Sequence, residues 1–174
     1  MDTTQKINLL FAAAEYDVCA GRSPAIQSSL PGVYRARMAN GGTCSLFKVL
    51  LTNKCAYNCL YCANRKNRDI PRSELSPEEL AQTFYAYYQR GYVHGLFLTS
   101  AVKDNGQSTM DKLIACSLIL RNKYQYSGYI HLKILPGTSE DQMELAVKIA
   151  NRVSINLEAP DELYLKKLAP QKKF

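Results

Sequence analysis

The chain of 174 residues carries 22 Lys and Arg against 15 Asp and Glu, a formal charge of +7, and 47% of its residues are hydrophobic. That length suits one domain with at most a small extension, and the composition excludes wholesale disorder. No apolar run approaches the roughly 18 residues a membrane span needs, and no basic segment precedes Leu9–Ala14; a soluble, cytoplasmic protein is expected, with an anionic partner permitted by the charge.

Residues 1–45 read as an N-terminal extension. Lys6 to Tyr16 suits a short amphipathic helix, and Ala20 to Gly42 is a Gly/Ser/Pro-rich stretch without a sustained period. A regular core, 46–174, follows. Leu46 to Thr52 is an apolar run of strand length that leads into a cysteine-bearing loop. Ser76-Pro77-Glu78-Glu79 is a capping box with proline at the first helical position; Leu80, Phe84, Tyr87 and Tyr88 recur at helical spacing until Gly91. Gly95 to Thr99 is a second strand, and Ser108 is predicted to cap a helix carrying Met110, Leu113, Ile114 and Leu118 to near Tyr124. Tyr129 to Ile134 is a third strand, Ser139 with Gln142 opens a helix to Ala150, Val153 to Leu157 is a fourth strand, and Asp161 to Leu168 is a last short helix.

Four strand–helix alternations predict βαβ units on a parallel sheet, an α/β chain with barrel-like curvature. Ile130, Leu132 and Ile134 alternate with Tyr129, His131 and Lys133; Val153, Ile155 and Leu157 alternate with Ser154, Asn156 and Glu158. The apolar sets are expected under the helices and the polar sets toward the lumen. Lys133, Asn156, Glu158 and the cysteine loop then share the C-terminal rim, where barrel enzymes keep their chemistry.

Six cysteines without a secretion signal argue against a disulfide framework. Cys55, Cys59 and Cys62 are spaced CxxxCxxC, and three soft thiolates on one loop match three irons of a [4Fe–4S] cube, leaving the fourth iron open to a small molecule. The rival reading is a structural zinc site completed by Cys19, Cys44 or His94, although zinc sites usually use two CxxC-like pairs and no second pair exists. With the basic stretch Arg65-Lys66-Asn67-Arg68 and Arg72, that rival is a non-enzymatic zinc- and nucleic-acid-binding module. The stretch itself reads as phosphate contacts or as a solvated loop. Cys116 suits a buried thiol, Cys19 and Cys44 inert thiols or a second cluster, and Tyr85, Tyr87 and Tyr88 packing. His131 suits a lumen hydrogen bond or an acid, and Lys133 either a ligand or an ion pair with Glu158.

The cysteine segment, with Tyr61 before its last cysteine, resembles the radical S-adenosylmethionine (radical SAM) superfamily. The resemblance implies a partial TIM-like (β/α) barrel with about four of the family's six βα units in this chain. It implies a [4Fe–4S] cluster on Cys55, Cys59 and Cys62 whose open iron chelates SAM, reductive cleavage of SAM to methionine and a 5′-deoxyadenosyl radical, and an electron donor such as flavodoxin or ferredoxin. It assigns SAM contacts to Tyr61, to Ser100 in Thr99-Ser100-Ala101 where the family's Gly-Gly-Glu would stand, to Lys133 near the carboxylate, and to Asn156 and Glu158 near the ribose. It singles out no catalytic residue acting on the substrate. Glu15–Cys19, Ser45–Asn53, Gly95–Ser100 and Gly128–Lys133 are similar to radical SAM proteins assigned to DNA modification or repair and paired with a uracil-DNA-glycosylase-like protein, which implies a nucleic-acid substrate. Strands five and six of the family are not found. A chain truncated after its fourth unit is therefore expected, with an unpaired strand edge, able to bind the cluster but poor at cleaving SAM alone.

Overall fold

The computed structural model describes residues 1–15, 26–27, 30–38 and 41–172. Asp2 accepts the Gln5 amide at 2.8 Å while Gln5 accepts the Asp2 amide at 3.1 Å, and this capping box starts α1 (Thr3–Ala13). Ile7, Leu10 and Ala14 are buried, and the helix lies against β3. A hairpin of β1 (Ile26–Gln27) and β2 (Val33–Arg37) follows, and β2 runs antiparallel to β3 (Thr43–Leu50). Next come α2 (Pro77–Gln89), β4 (Gly95–Thr99), α3 (Gly106–Leu118) continued by a π-helical turn to Lys123, β5 (Tyr129–Lys133), α4 (Glu140–Ile149), β6 (Arg152–Ser154) and α5 (Glu162–Leu168). The six strands lie in chain order in one sheet, and β3 to β6 are mutually parallel. The fold is α/β, a partial TIM-like barrel with four βα units.

One face of the sheet is covered by helices. Phe47, Leu96, Leu98, Ile130 and Leu132 are buried there in one cluster with Leu80 and Phe84 of α2 and Met110 and Leu113 of α3. Full burial of such side chains contributes about 1.5–3 kcal/mol each before chain entropy is subtracted. Tyr85, Tyr87 and Tyr88 are packing residues: Tyr85 stacks on Tyr124 at 4.5 Å, Tyr87 meets Phe47 at 5.0 Å, and Tyr88 meets Tyr126 at 4.9 Å. Cys116 is fully buried, and burial pushes its thiol well above the ordinary range.

The other face carries the polar set, as the alternation implies. The Phe97 ring has Lys48 Nζ at 5.8 Å, Lys133 Nζ at 5.9 Å and the His131 ring at 4.7 Å. His131 Nε2 is 2.8 Å from Ser154 Oγ, and Lys48 Nζ lies 4.6 Å from the Tyr34 ring centroid on β2. The hairpin thus walls one side of the lumen, although its sequence shows no strand period.

Three expectations are corrected. β3 begins at Thr43 rather than Leu46, because β2 supplies a partner strand as far as the Arg37–Thr43 pair. α3 is capped by Asn105, whose side chain accepts the Ser108 amide at 2.8 Å, so Ser108 is a first-turn donor and not the cap. β6 ends at Ser154 because the neighbouring β5 ends at Lys133, with the bond from the Ile134 amide to Ser154 O as the last rung. Ile155 and Leu157, expected under helices, are instead 60% and 69% exposed.

Candidate active site

The cysteine loop is pinned at both ends. Thr52 Oγ1 donates to Ser73 O at 2.9 Å, Asn53 Nδ2 donates to Pro71 O at 2.9 Å, and the Ser73 amide donates to Asn53 Oδ1 at 2.7 Å. Between these pins, the Arg72 guanidinium donates to the carbonyls of Asn53, Asn64, Arg65 and Arg68 at 2.5–2.9 Å. Arg72 is therefore neither a phosphate contact nor a solvated charge: its fork is filled by the loop's own backbone. Arg65 Nη1 donates to Leu60 O at 2.9 Å, whereas Lys66 and Arg68 are exposed.

Within this frame the amides of Tyr57 and Asn64 donate to the sulfurs of Cys55 and Cys62, each at 3.4 Å, and Cys59 packs on Leu165 and Ala169. All three thiols line one cavity of about 450 Å³. Burial pushes the Cys59 and Cys62 thiols up, and the Lys172 ammonium pulls both back, as does the Asn64 amide for Cys62. Among the described residues no three His, Cys, Asp or Glu side chains form a single-ion site. Cys44 and His94, the fourth ligands of the zinc reading, lie at the N-terminal ends of β3 and β4 and do not line the cavity. The strand from Cys44 to Leu50 spans about 20 Å, which leaves the zinc reading without those ligands. Cys19 lies outside the described residues.

The cavity also receives the five residues that the family resemblance assigns to SAM contacts: Tyr61, Ser100, Lys133, Asn156 and Glu158. The turn after β4 is tied to the cysteine loop by the Ala101 amide on Thr52 O at 3.0 Å and the Ala56 amide on Val102 O at 2.7 Å. Ser100 Oγ donates to Ala101 O at 2.8 Å, which leaves its lone pairs to accept. Lys133 is 6% exposed. Glu158 has φ +64°, a left-handed conformation that costs a non-glycine residue about 1 kcal/mol or more. Its Oε1 accepts Lys172 Nζ at 2.7 Å and Asn156 Nδ2 at 3.2 Å. Glu158, for which Lys133 was one candidate partner, thus forms its ion pair with Lys172. Burial raises the Glu158 carboxyl, but Lys172, with Asn156 and Tyr61, outweighs it and holds the group below the ordinary carboxylate range. Burial, then the neighbouring Glu158 and Cys59, push the Tyr61 hydroxyl far up.

Close approach of backbones shapes the rim. A Cβ added to Gly106 at the start of α3 would lie 1.9 Å from Pro136 O in the β5–α4 turn, so only glycine fits. The C-terminal segment crosses the cysteine loop: the Leu60 amide donates to Leu168 O at 2.8 Å, the Asn58 amide to Gln171 Oε1 at 3.3 Å, and Lys172 Nζ to Tyr61 OH at 3.0 Å. On the opposite side Asn64 Nδ2 donates to Ala13 O at 2.8 Å, so α1 also reaches the cavity. Lys172 and Asn64 escape sequence reasoning, because neither belongs to a periodic element or to a recognisable spacing.

The family model of the radical SAM superfamily matches residues 49–174. No curated protein matches the sequence. Among the described residues no helix is long and apolar enough to cross a membrane.

Proposed function

Because the chain belongs to the radical SAM superfamily, we propose that Cys55, Cys59 and Cys62 hold a [4Fe–4S] cluster and that the adjoining cavity takes SAM. The observation that carries this reading is the convergence of three thiols from one loop with polar groups from the ends of β4, β5 and β6 on one cavity. The donor set suits the cluster: three soft ligands, with no fourth thiol or imidazole among the described residues that wall the cavity. A cluster held by these cysteines would supply one-electron reduction of SAM, drawing on an external donor such as flavodoxin or ferredoxin, with methionine and a 5′-deoxyadenosyl radical as the products of cleavage.

The protein's own groups supply binding, orientation and exclusion of water. Ser100 Oγ, its proton already committed to Ala101, accepts from the amino group of SAM. Lys133 faces the carboxylate, Asn156 and Glu158 accept from the ribose hydroxyls, and Tyr61 closes the side nearest the loop. Val102 and Leu135, both buried, make the apolar wall that keeps water from the reacting atoms. The proposed catalytic core is 46–174, with α1 and the β1–β2 hairpin covering one side of it.

The substrate class we propose is nucleic acid, handled for modification or repair alongside a uracil-DNA-glycosylase-like protein. The +7 charge and the exposed Lys66 and Arg68 beside the cavity support it. DNA affinity should fall linearly on a log–log plot against salt, and replacing Arg65, Lys66 and Arg68 by Ala should flatten the slope by about one unit for each phosphate these side chains neutralise. Binding indifferent to salt would refute a phosphate-contacting substrate.

Anaerobic reconstitution tests the cluster. About four irons per chain are expected, lost with the brown absorption in Cys55→Ala, Cys59→Ala or Cys62→Ala and kept in Cys116→Ala. A full cluster in Cys59→Ala, or a colourless zinc-loaded protein under the same conditions, would overturn the assignment.

A further inference from the structure

We propose that Lys172 is a positioning residue that sets the reduction potential of the cysteine site by its charge, with Glu158 as the opposing charge. The inference rests on the cluster reading above and extends it to residues outside the cysteine motif. Lys172 Nζ lies 3.0 Å from Tyr61 OH, 2.7 Å from Glu158 Oε1 and 5.6 Å from the Tyr61 ring centroid. Tyr61 stands between Cys59 and Cys62 in the chain, so the ammonium is fastened to the loop that bears the thiols. Lys172 lines the same cavity as those thiols.

Two features separate this cation from Lys54, the lysine next to Cys55 in the chain. The side chains of Lys172 and Glu158 are only 14% and 18% exposed, so neither water nor salt screens them as at a surface. Lys54, although adjacent to Cys55, is 47% exposed and is drawn toward Glu74 at 3.7 Å. Lys172 is also held in place by its chain, because Leu168 O and Gln171 Oε1 each accept an amide of the cysteine loop.

One-electron reduction by an external donor adds one negative charge at the thiol-bound group. A fixed cation nearby stabilises the reduced form and raises the potential; a fixed carboxylate does the reverse. The ion pair therefore makes two opposite and separable contributions. Removing Lys172 also unmasks Glu158, so the two effects add in the downward direction.

The test is a mediator-buffered reductive titration of the anaerobically reconstituted protein, followed by electron paramagnetic resonance, with iron content measured for each variant. Lys172→Met should lower the midpoint potential, Glu158→Gln should raise it, the double variant should fall between them, and Lys172→Arg should stay near wild type. Lys166→Met, which removes an exposed partner of Glu162 on α5, should leave it unmoved. A purely structural ion pair would not give opposite signs for the two single variants. If Lys172→Met fails to keep its iron, Glu158→Gln still decides: an unshifted or lowered potential there overturns the inference. Loaded variants with unchanged potentials would overturn this inference alone, whereas a wild-type chain that assembles no cluster would overturn it together with the cluster reading.

Discussion

Arg72→Met is the most informative single change outside the cysteines, because it separates two meanings of a positive charge. In the native loop its guanidinium donates to four carbonyls, three of those bonds part-buried and the one to Arg68 exposed. A charge-assisted bond contributes about 1.5–3 kcal/mol when shielded; discounting for partial exposure leaves about 1 kcal/mol for each of the three and nothing for the fourth. The expected loss is about 3 kcal/mol, or roughly a hundredfold in the opening equilibrium of the loop. Hydrogen exchange reads this directly. The Asn53 amide on Ser73 O and the Ser73 amide on Asn53 Oδ1 should lose about two orders of magnitude of protection, while amides of β4 and β5 lose far less. Arg72→Lys should recover only a minor part, since one ammonium cannot reach carbonyls spread over a planar fork. Unchanged protection together with a flatter salt dependence of DNA binding would refute the clamp and make Arg72 a phosphate contact.

Gly106→Ala forces a Cβ into Pro136 O, so the β5–α4 turn must shift; a loss of about 2 kcal/mol and a melting temperature lower by roughly 4–8 °C are expected in a thermal scan. Glu74 accepts from Lys103 at 2.6 Å and Lys112 at 2.9 Å, and although burial raises its carboxyl, these partners outweigh it and hold the group below its ordinary value. A depressed carboxyl contributes stability above its unfolded pKa and loses it as pH falls through the folded one. Glu74→Gln should therefore lower the urea midpoint at pH 7 by an amount worth about 1 kcal/mol, and its deficit against wild type should close as the medium is acidified below the ordinary carboxylate range.

Some helix starts bounded by side-chain caps are legible from sequence, although the Asp2 cap of α1 and the Asn105 cap of α3 are not. Ser76 with Glu79 and Ser139 with Gln142 act as capping boxes at the expected places, and Asp161 caps α5, because a cap is a local interaction within three or four residues. β2 is not legible: Val33, Tyr34, Arg35, Ala36 and Arg37 carry no sustained apolar alternation, since Val33 alone of the strand is buried. The fourth strand is shorter than its pattern for a different reason, as hydrophobic alternation through Leu157 does not reveal that the neighbouring strand stops. Of the candidate site, the residues at strand ends and in the cysteine motif can be found because parallel-strand chemistry gathers at one rim. Arg72 and Lys172 cannot be placed, because composition records a charge but not the carbonyl or carboxylate toward which it turns.

The crossing of the cysteine loop by the C-terminal segment bears on the timing of maturation. Asn58 and Gln171 are 113 positions apart and Tyr61 and Lys172 are 111 apart, yet each pair is joined by a hydrogen bond. At synthesis rates of about 5–20 residues per second, the loop emerges roughly 5–25 seconds before the segment that completes it. During that interval Leu60 lacks the carbonyl that receives its amide, Cys59 lacks its packing against Leu165, and the thiols stand open to oxidants or to stray metal ions. Long-range closure of this kind also comes late in refolding, because ring-closure entropy must be overcome first. In a pulse-labelled refolding experiment the Asn58 and Leu60 amides should thus gain protection together with α5 and after β3 to β5, so that the thiol-bearing loop takes its final shape only after the rest of the barrel has formed.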